Sequence, residues 1–103
     1  MATIIPDLNS EVEVPLNGTL SRVLHHDDRL RLVVFAFDAG QELTEHRSGS
    51  AAVVQVVSGR LRFLASGEDH EMGPETWLYM SPGEEHALEA LEPTVMLLTL
   101  LRG

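Results

Sequence analysis

The sequence predicts an all-β domain, a sandwich or barrel of seven or eight short strands. Three observations predict it. Short apolar, β-branched runs recur along the chain, several of them alternating with polar residues. Turn signals interrupt these runs every 6–12 residues. The one stretch that favours helix, "HALEALE", is hemmed in by Pro82-Gly83 before it and Pro93 behind it. A chain of 103 residues fits one domain with one modest core.

The elements follow in order. Residues 1–18 hold few packing signals and two prolines, and read as an extended N-terminal arm. The single domain then spans residues 19–103. "TLSRVL" (19–24) is the first strand, and "HHDD" (25–28) a polar turn. In "RLRLVVFAFDAG" (29–40), Arg29 and Arg31 alternate with Leu30 and Leu32, which gives a wet face at the start. "VVFAF" is apolar on both faces and calls for burial on both sides. "AAVVQVV" (51–57) is β-branched and closed by Ser58-Gly59. "RLRFLA" (60–65) alternates, and "SGED" (66–69) reads as a hairpin turn. "TWLYM" (76–80), "HALEAL" (86–91) and "TVMLLTLL" (94–101) complete the set.

Composition removes several functions. Cysteine is absent, which rules out disulfides, thiolate zinc sites and a cysteine nucleophile. Formal net charge is −9, all seven cations are arginine, and there is no lysine. Such an acidic surface repels phosphate backbones and anionic lipids, so nucleic-acid and membrane partners are not expected. Schiff-base chemistry and a P-loop need the missing lysine, and no G-x-G-x-x-G occurs. No run is long enough to span a membrane, and "MATIIPDLNSEVEV" has no basic segment followed by an apolar one. The reading is a soluble, cytoplasmic protein.

Two segments resemble the paired signature motifs of the cupins. "GQELTEHRSGSAAVVQVVSG" (40–59) is similar to the first, in which a glycine, a His-x-His pair, a glutamate and a second glycine follow in order. Gly40, His46 and Gly59 fall at matching places. "SPGEEHALEA" (81–90) is similar to the second, Pro-x-Gly-x-x-His, with Gly83 and His86 in place. The chain is identified as resembling a small single-domain member of the RmlC-like cupin superfamily, of the cupin 2 barrel type. The resemblance implies a double-stranded β-helix, or jelly roll, a ligand pocket in the barrel mouth, and a homodimer. It also implies a divalent transition metal (Zn, Fe, Mn, Ni or Cu) held by two histidines and a glutamate from the first motif and a histidine from the second.

The departures bear on that metal. His46 and His86 fill the first and last ligand places, but Ser48 stands at the second histidine and Ala52 at the glutamate. Ser81 replaces the proline that opens the second motif. A catalytic site needs about three protein ligands, and two imidazoles give weak binding at best. The period of two puts Val54 and Val56 on the face of Ala52 and Gln55 on the other. The resemblance puts Leu78, Met80 and Leu88 inward as well. The expected pocket is therefore Ser48, Ala52, Val54, Val56, Leu78, Met80 and Leu88, with His46 and His86 at the rim. His25-His26-Asp27-Asp28 reads as a turn, His70 as surface, and Trp77 and Tyr79 as packing or interface residues.

Three functions remain. The first is a small-molecule-binding cupin of unknown specificity, metal-free or weakly metal-binding. The second is a metal-dependent enzyme, dioxygenase- or isomerase-like, using His46, His86 and a third, unidentified ligand. The third is a dimeric interaction module without catalysis. Composition does not decide between enzyme and non-enzyme.

Overall fold

A computed structural model describes residues 1–46 and 49–102, with the side chains of residues 44–46 also outside the description. Among the described residues there are nine strands. They are β1 (Thr19–His26), β2 (Leu30–Phe37), β3 (Glu42–His46), β4 (Ala52–Ser58), β5 (Leu61–Ala65), β6 (Glu68–Met72), β7 (Trp77–Met80), β8 (His86–Ala90) and β9 (Thr94–Leu101). They form two antiparallel sheets, ordered β1-β2-β9-β4-β7 and β3-β8-β5-β6. Among the described residues, no helix is long and apolar enough to cross a membrane.

The alternation read from the sequence sets the core. Ala52, Val54 and Val56 of β4 point between the sheets and are buried, while Gln55 is exposed. They meet Leu61, Phe63 and Ala65 of β5 and Leu88 and Ala90 of β8, with Phe37, Met72, Met80 and Met96 closing the cluster. The apolar β9 is central rather than peripheral, between β2 and β4. Its Met96 joins the core between the sheets. Its Val95 packs on the opposite face with Val34, Ala36 and Val12.

Val12 marks a difference from expectation. The segment before β1 is not wholly extended: Leu8–Glu11 form a short 3-10 turn capped by the Asp7 side chain. The turn is tied to β4 by Ser58 Oγ donating to Asn9 Oδ1 at 2.9 Å. Apolar residues on the outer face of the first sheet need cover, and Val12 and Val14 give it.

Two further corrections concern strand ends. His25 and His26 belong to β1, which carries an irregularity between Val23 and His25. The turn itself starts at Asp27, whose Oδ1 accepts from the backbone of Arg29 (2.8 Å) and Leu30 (3.0 Å). The hairpin turn is Ser66-Gly67 alone, and Glu68 and Asp69 already pair in β6. That strand, "EDHEM", has a single buried side chain, Met72, so burial periodicity gives it no signal. Cross-strand charge supports it instead, through Arg62 with Asp69 and Arg60 with Glu71.

The motif glycines are placed by backbone need. Gly40, Gly59 and Gly83 all have positive φ. At Gly59 a side chain would also strike the Pro93 carbonyl and come within 2.6 Å of Thr94 Oγ1. Thr94 is fully buried. Its hydroxyl accepts from Arg60 N at 3.1 Å and faces the carbonyls of Arg60 and Glu92 at 3.0 and 2.8 Å.

Candidate functional site

The second sheet brings the two motifs together. β3 runs antiparallel to β8, and His46 is the register partner of His86. The pairing Glu42↔Glu89 and Leu43↔Leu88 is regular, and the shift falls between Leu43 and His46. On its other side β8 pairs with β5, with Ala65 opposite His86 and Phe63 opposite Leu88.

His86 is held from two directions. Its ring stacks on Phe63, with centroids 5.7 Å apart and planes 9° from parallel. Phe63 is 1% exposed, so the imidazole rests on a fixed core side chain. Nδ1 of His86 lies 3.3 Å from the carbonyl oxygen of Glu84. A carbonyl only accepts, so Nδ1 carries the proton there.

Glu84 is in turn bound at both carboxylate oxygens. Ser66 Oγ donates to Oε2 at 2.6 Å, and Ser81 N donates to Oε1 at 3.1 Å. These bonds hold the Glu84 carboxyl below the usual carboxylate range, the Ser66 hydroxyl most of all. Neither Ser66 nor Glu84 is singled out by sequence reasoning. The only trace of them is Ser81, which stands where the motif has proline.

The other expected site residues are distributed as follows. Ala52, Val54, Val56 and Met80 are buried in the core between the sheets, and Leu78 is partly buried against it. Ser48 lies outside the described residues. Leu88 is buried in the core and also borders a concavity of about 530 Å³ with Glu42, Arg62, Leu64, Asp69 and Glu89. There Arg62 is ion-paired to Asp69 and lies 3.7 Å from Glu89, and its guanidinium holds the Asp69 carboxyl below the usual range. His86 borders a second concavity of about 340 Å³ with Leu64, Ser66, Gly67 and Glu85.

The four-ligand metal set of the resembling family does not fit this chain. Ala52, at the glutamate place, has no donor atom and is 1% exposed in packed hydrocarbon. Among the described residues, no group of three or more His, Cys, Asp or Glu is placed to hold an ion. The turn cluster has a different use: His25 Nε2 lies 2.8 Å from Asp27 Oδ2, and the pair closes the β1–β2 turn. His70 lies 3.3 Å from Glu68 at the surface.

No protein-family model matches the chain, and no curated protein matches it. Solved structures do. A conserved protein of unknown function from Streptococcus pyogenes, SPY1581, is 31% identical, with a TM-score of 0.88 over 100% of this chain and 90% of that one. A cupin superfamily protein from Desulfitobacterium hafniense is 21% identical, with a TM-score of 0.87 over 100% and 94% of the two chains. An RmlC-like cupin from Desulfovibrio desulfuricans is 20% identical, with a TM-score of 0.86 over 98% and 97%. The first identity establishes common family, and the other two establish the fold. The chain therefore belongs to the family of the Streptococcus protein and has the small RmlC-like cupin fold, with no complete metal-ligand set among its described residues.

Proposed function

We propose that this chain binds a small molecule in the barrel mouth, metal-free or with only weak metal binding, and that His46 and His86 contact the ligand. The observation that carries the reading is the register pairing of these two histidines across β3 and β8. A lining of Val54, Met80 and Leu88, as the motif resemblance implies, would suit a mostly apolar ligand with one polar group. Two imidazoles can hydrogen-bond that group or move a proton at it. The cysteine-free composition fits a reducing, cytoplasmic setting.

The test is a screen of small carboxylates, alcohols and ketones by thermal shift, followed by calorimetry on the hits. His46→Ala/His86→Ala should weaken binding at least tenfold and leave the fold intact. A hit indifferent to both substitutions would overturn the reading. Metal content of untagged protein after incubation with Zn, Fe, Mn, Ni or Cu decides the enzyme alternative: near one ion per chain would favour a metal-dependent site.

We also propose a homodimer through the outer face of the first sheet. Trp77 and Tyr79 stand there 62% and 49% exposed, stacked at 6.4 Å. Their register partners Gln55 and Val53 add no charge. An uncharged patch of this kind is where two chains of net charge −9 can meet with little repulsion.

A further inference from the structure

We propose that Ser66, Ser81 and Glu84 form a clasp that sets the orientation and tautomer of His86. The inference deepens the ligand site proposed above and rests on His86 belonging to it. The clasp starts from a substitution in the motif. Proline has no N–H. Ser81, in the place of the motif's opening proline, has one, and it donates to Glu84 Oε1 at 3.1 Å. Glu84 N returns a bond to the Ser81 carbonyl at 3.3 Å. The turn Ser81-Pro82-Gly83-Glu84 is thus closed twice, once by backbone and once by side chain.

The second tie comes from another part of the chain. Ser66 and Gly67 have φ of 50° and 78°. Two consecutive positive values mark the tight hairpin turn that favours asparagine and glycine, and serine is an uncommon first residue in it. The hydroxyl gives serine a reason to be there, since Ser66 Oγ reaches Glu84 Oε2 at 2.6 Å. Ser66 N also donates to the Glu85 carbonyl at 3.4 Å. The β5–β6 hairpin and the β7–β8 turn are therefore locked together through one carboxylate.

What the lock fixes is the Glu84 carbonyl, 3.3 Å from His86 Nδ1. With Phe63 fixing the plane of the ring, that carbonyl fixes its rotation and keeps the neutral ring's proton on Nδ1. The lone pair of the neutral ring then sits on Nε2. Ser66, Ser81 and Glu84 are positioning residues: they act on the ligand only through His86.

The test uses two substitutions. Ser66→Gly removes the hydroxyl at a positive φ that glycine prefers. Ser81→Pro restores the motif residue and removes the N–H. Imidazole nitrogen shifts of His86 are read by long-range proton–nitrogen NMR on the ligand-free protein at about pH 8, where imidazoles are ordinarily neutral. His86→Ala assigns the signals. The wild type should show the Nδ1–H form, and the double variant should lose it to a mixture with the Nε2–H form, with backbone spectra otherwise retained. An Nε2–H form in the wild type, or no change in the double variant, would overturn the clasp. Either result leaves ligand binding to be judged by the histidine substitutions alone, so the two readings fail separately.

Discussion

His86 lies flat on Phe63, its ring centroid 5.7 Å from that of a phenylalanine that is 1% exposed. A side chain of the candidate site thus rests directly on the packed core, and a core change should be felt by the imidazole. Phe63→Leu keeps an apolar side chain but removes the aromatic face. The ring protons of His86 should move downfield as the stacking is lost, which proton NMR measures. Phe63→Ala should cost about 3–5 kcal/mol in urea unfolding, because it opens a cavity where Leu61, Leu88 and Ala90 now pack. Unchanged His86 shifts in Phe63→Leu would separate the core from the site.

Thr94 offers a sharper test of polar satisfaction. Its buried hydroxyl accepts from Arg60 N and faces two carbonyls. Thr94→Val keeps the shape and strips the Arg60 N–H of its acceptor. The expected loss is about 1–3 kcal/mol by chemical denaturation, without change in the slope of the transition. A loss below the error of the measurement would mean that water or a backbone shift replaces the bond.

These residues also show what a sequence can disclose. Alternation in "AVVQVV" placed Val54 and Val56 on the inward face of Ala52 and Gln55 outward, because burial in a two-layer sheet has a period of two. Gly40, Gly59 and Gly83 kept the motif spacing legible, because each has a positive φ. "EDHEM" escaped notice because an edge strand stabilised by cross-strand charge has no apolar alternation to read. The Ser66–Glu84 bond escaped it for another reason: it joins residues 18 apart through side chains, and no local period encodes that.

The aromatic pair on the outer face gives a prediction about assembly. Trp77 and Tyr79 are too large and too exposed to serve the core, and Leu78 and Met80 between them take the inward positions. Trp77→Ser/Tyr79→Ser should convert a dimer to a monomer in light scattering, with the β-sheet circular dichroism retained. Each buried aromatic contributes a large contact area, so dimer association should weaken by at least a hundredfold. A wild-type monomer at micromolar concentration would overturn the interface.

The last prediction concerns acid. The Asp27 carboxylate is contacted by His25 at 2.8 Å on one oxygen and by the N–H groups of Arg29 and Leu30 on the other. The His25 contact first, and the two backbone donors after it, push the carboxyl well below its ordinary value of 3.8. A depressed folded value means that the unfolded chain takes up the proton first as the pH drops. The stabilisation from this turn is therefore fully present above the ordinary carboxyl range. It declines below 3.8 and is exhausted only once the pH falls through the folded value. His25→Ala removes the largest cause, so the Asp27 carboxyl should titrate closer to that of an unfolded peptide. The pH dependence of stability below about pH 4 should flatten correspondingly. Carboxyl-carbon NMR of Asp27 across an acid titration checks the first part, and urea midpoints at several acid pH values check the second. An Asp27 midpoint at the unfolded value in the wild type would show that the closed β1–β2 turn does not persist in solution.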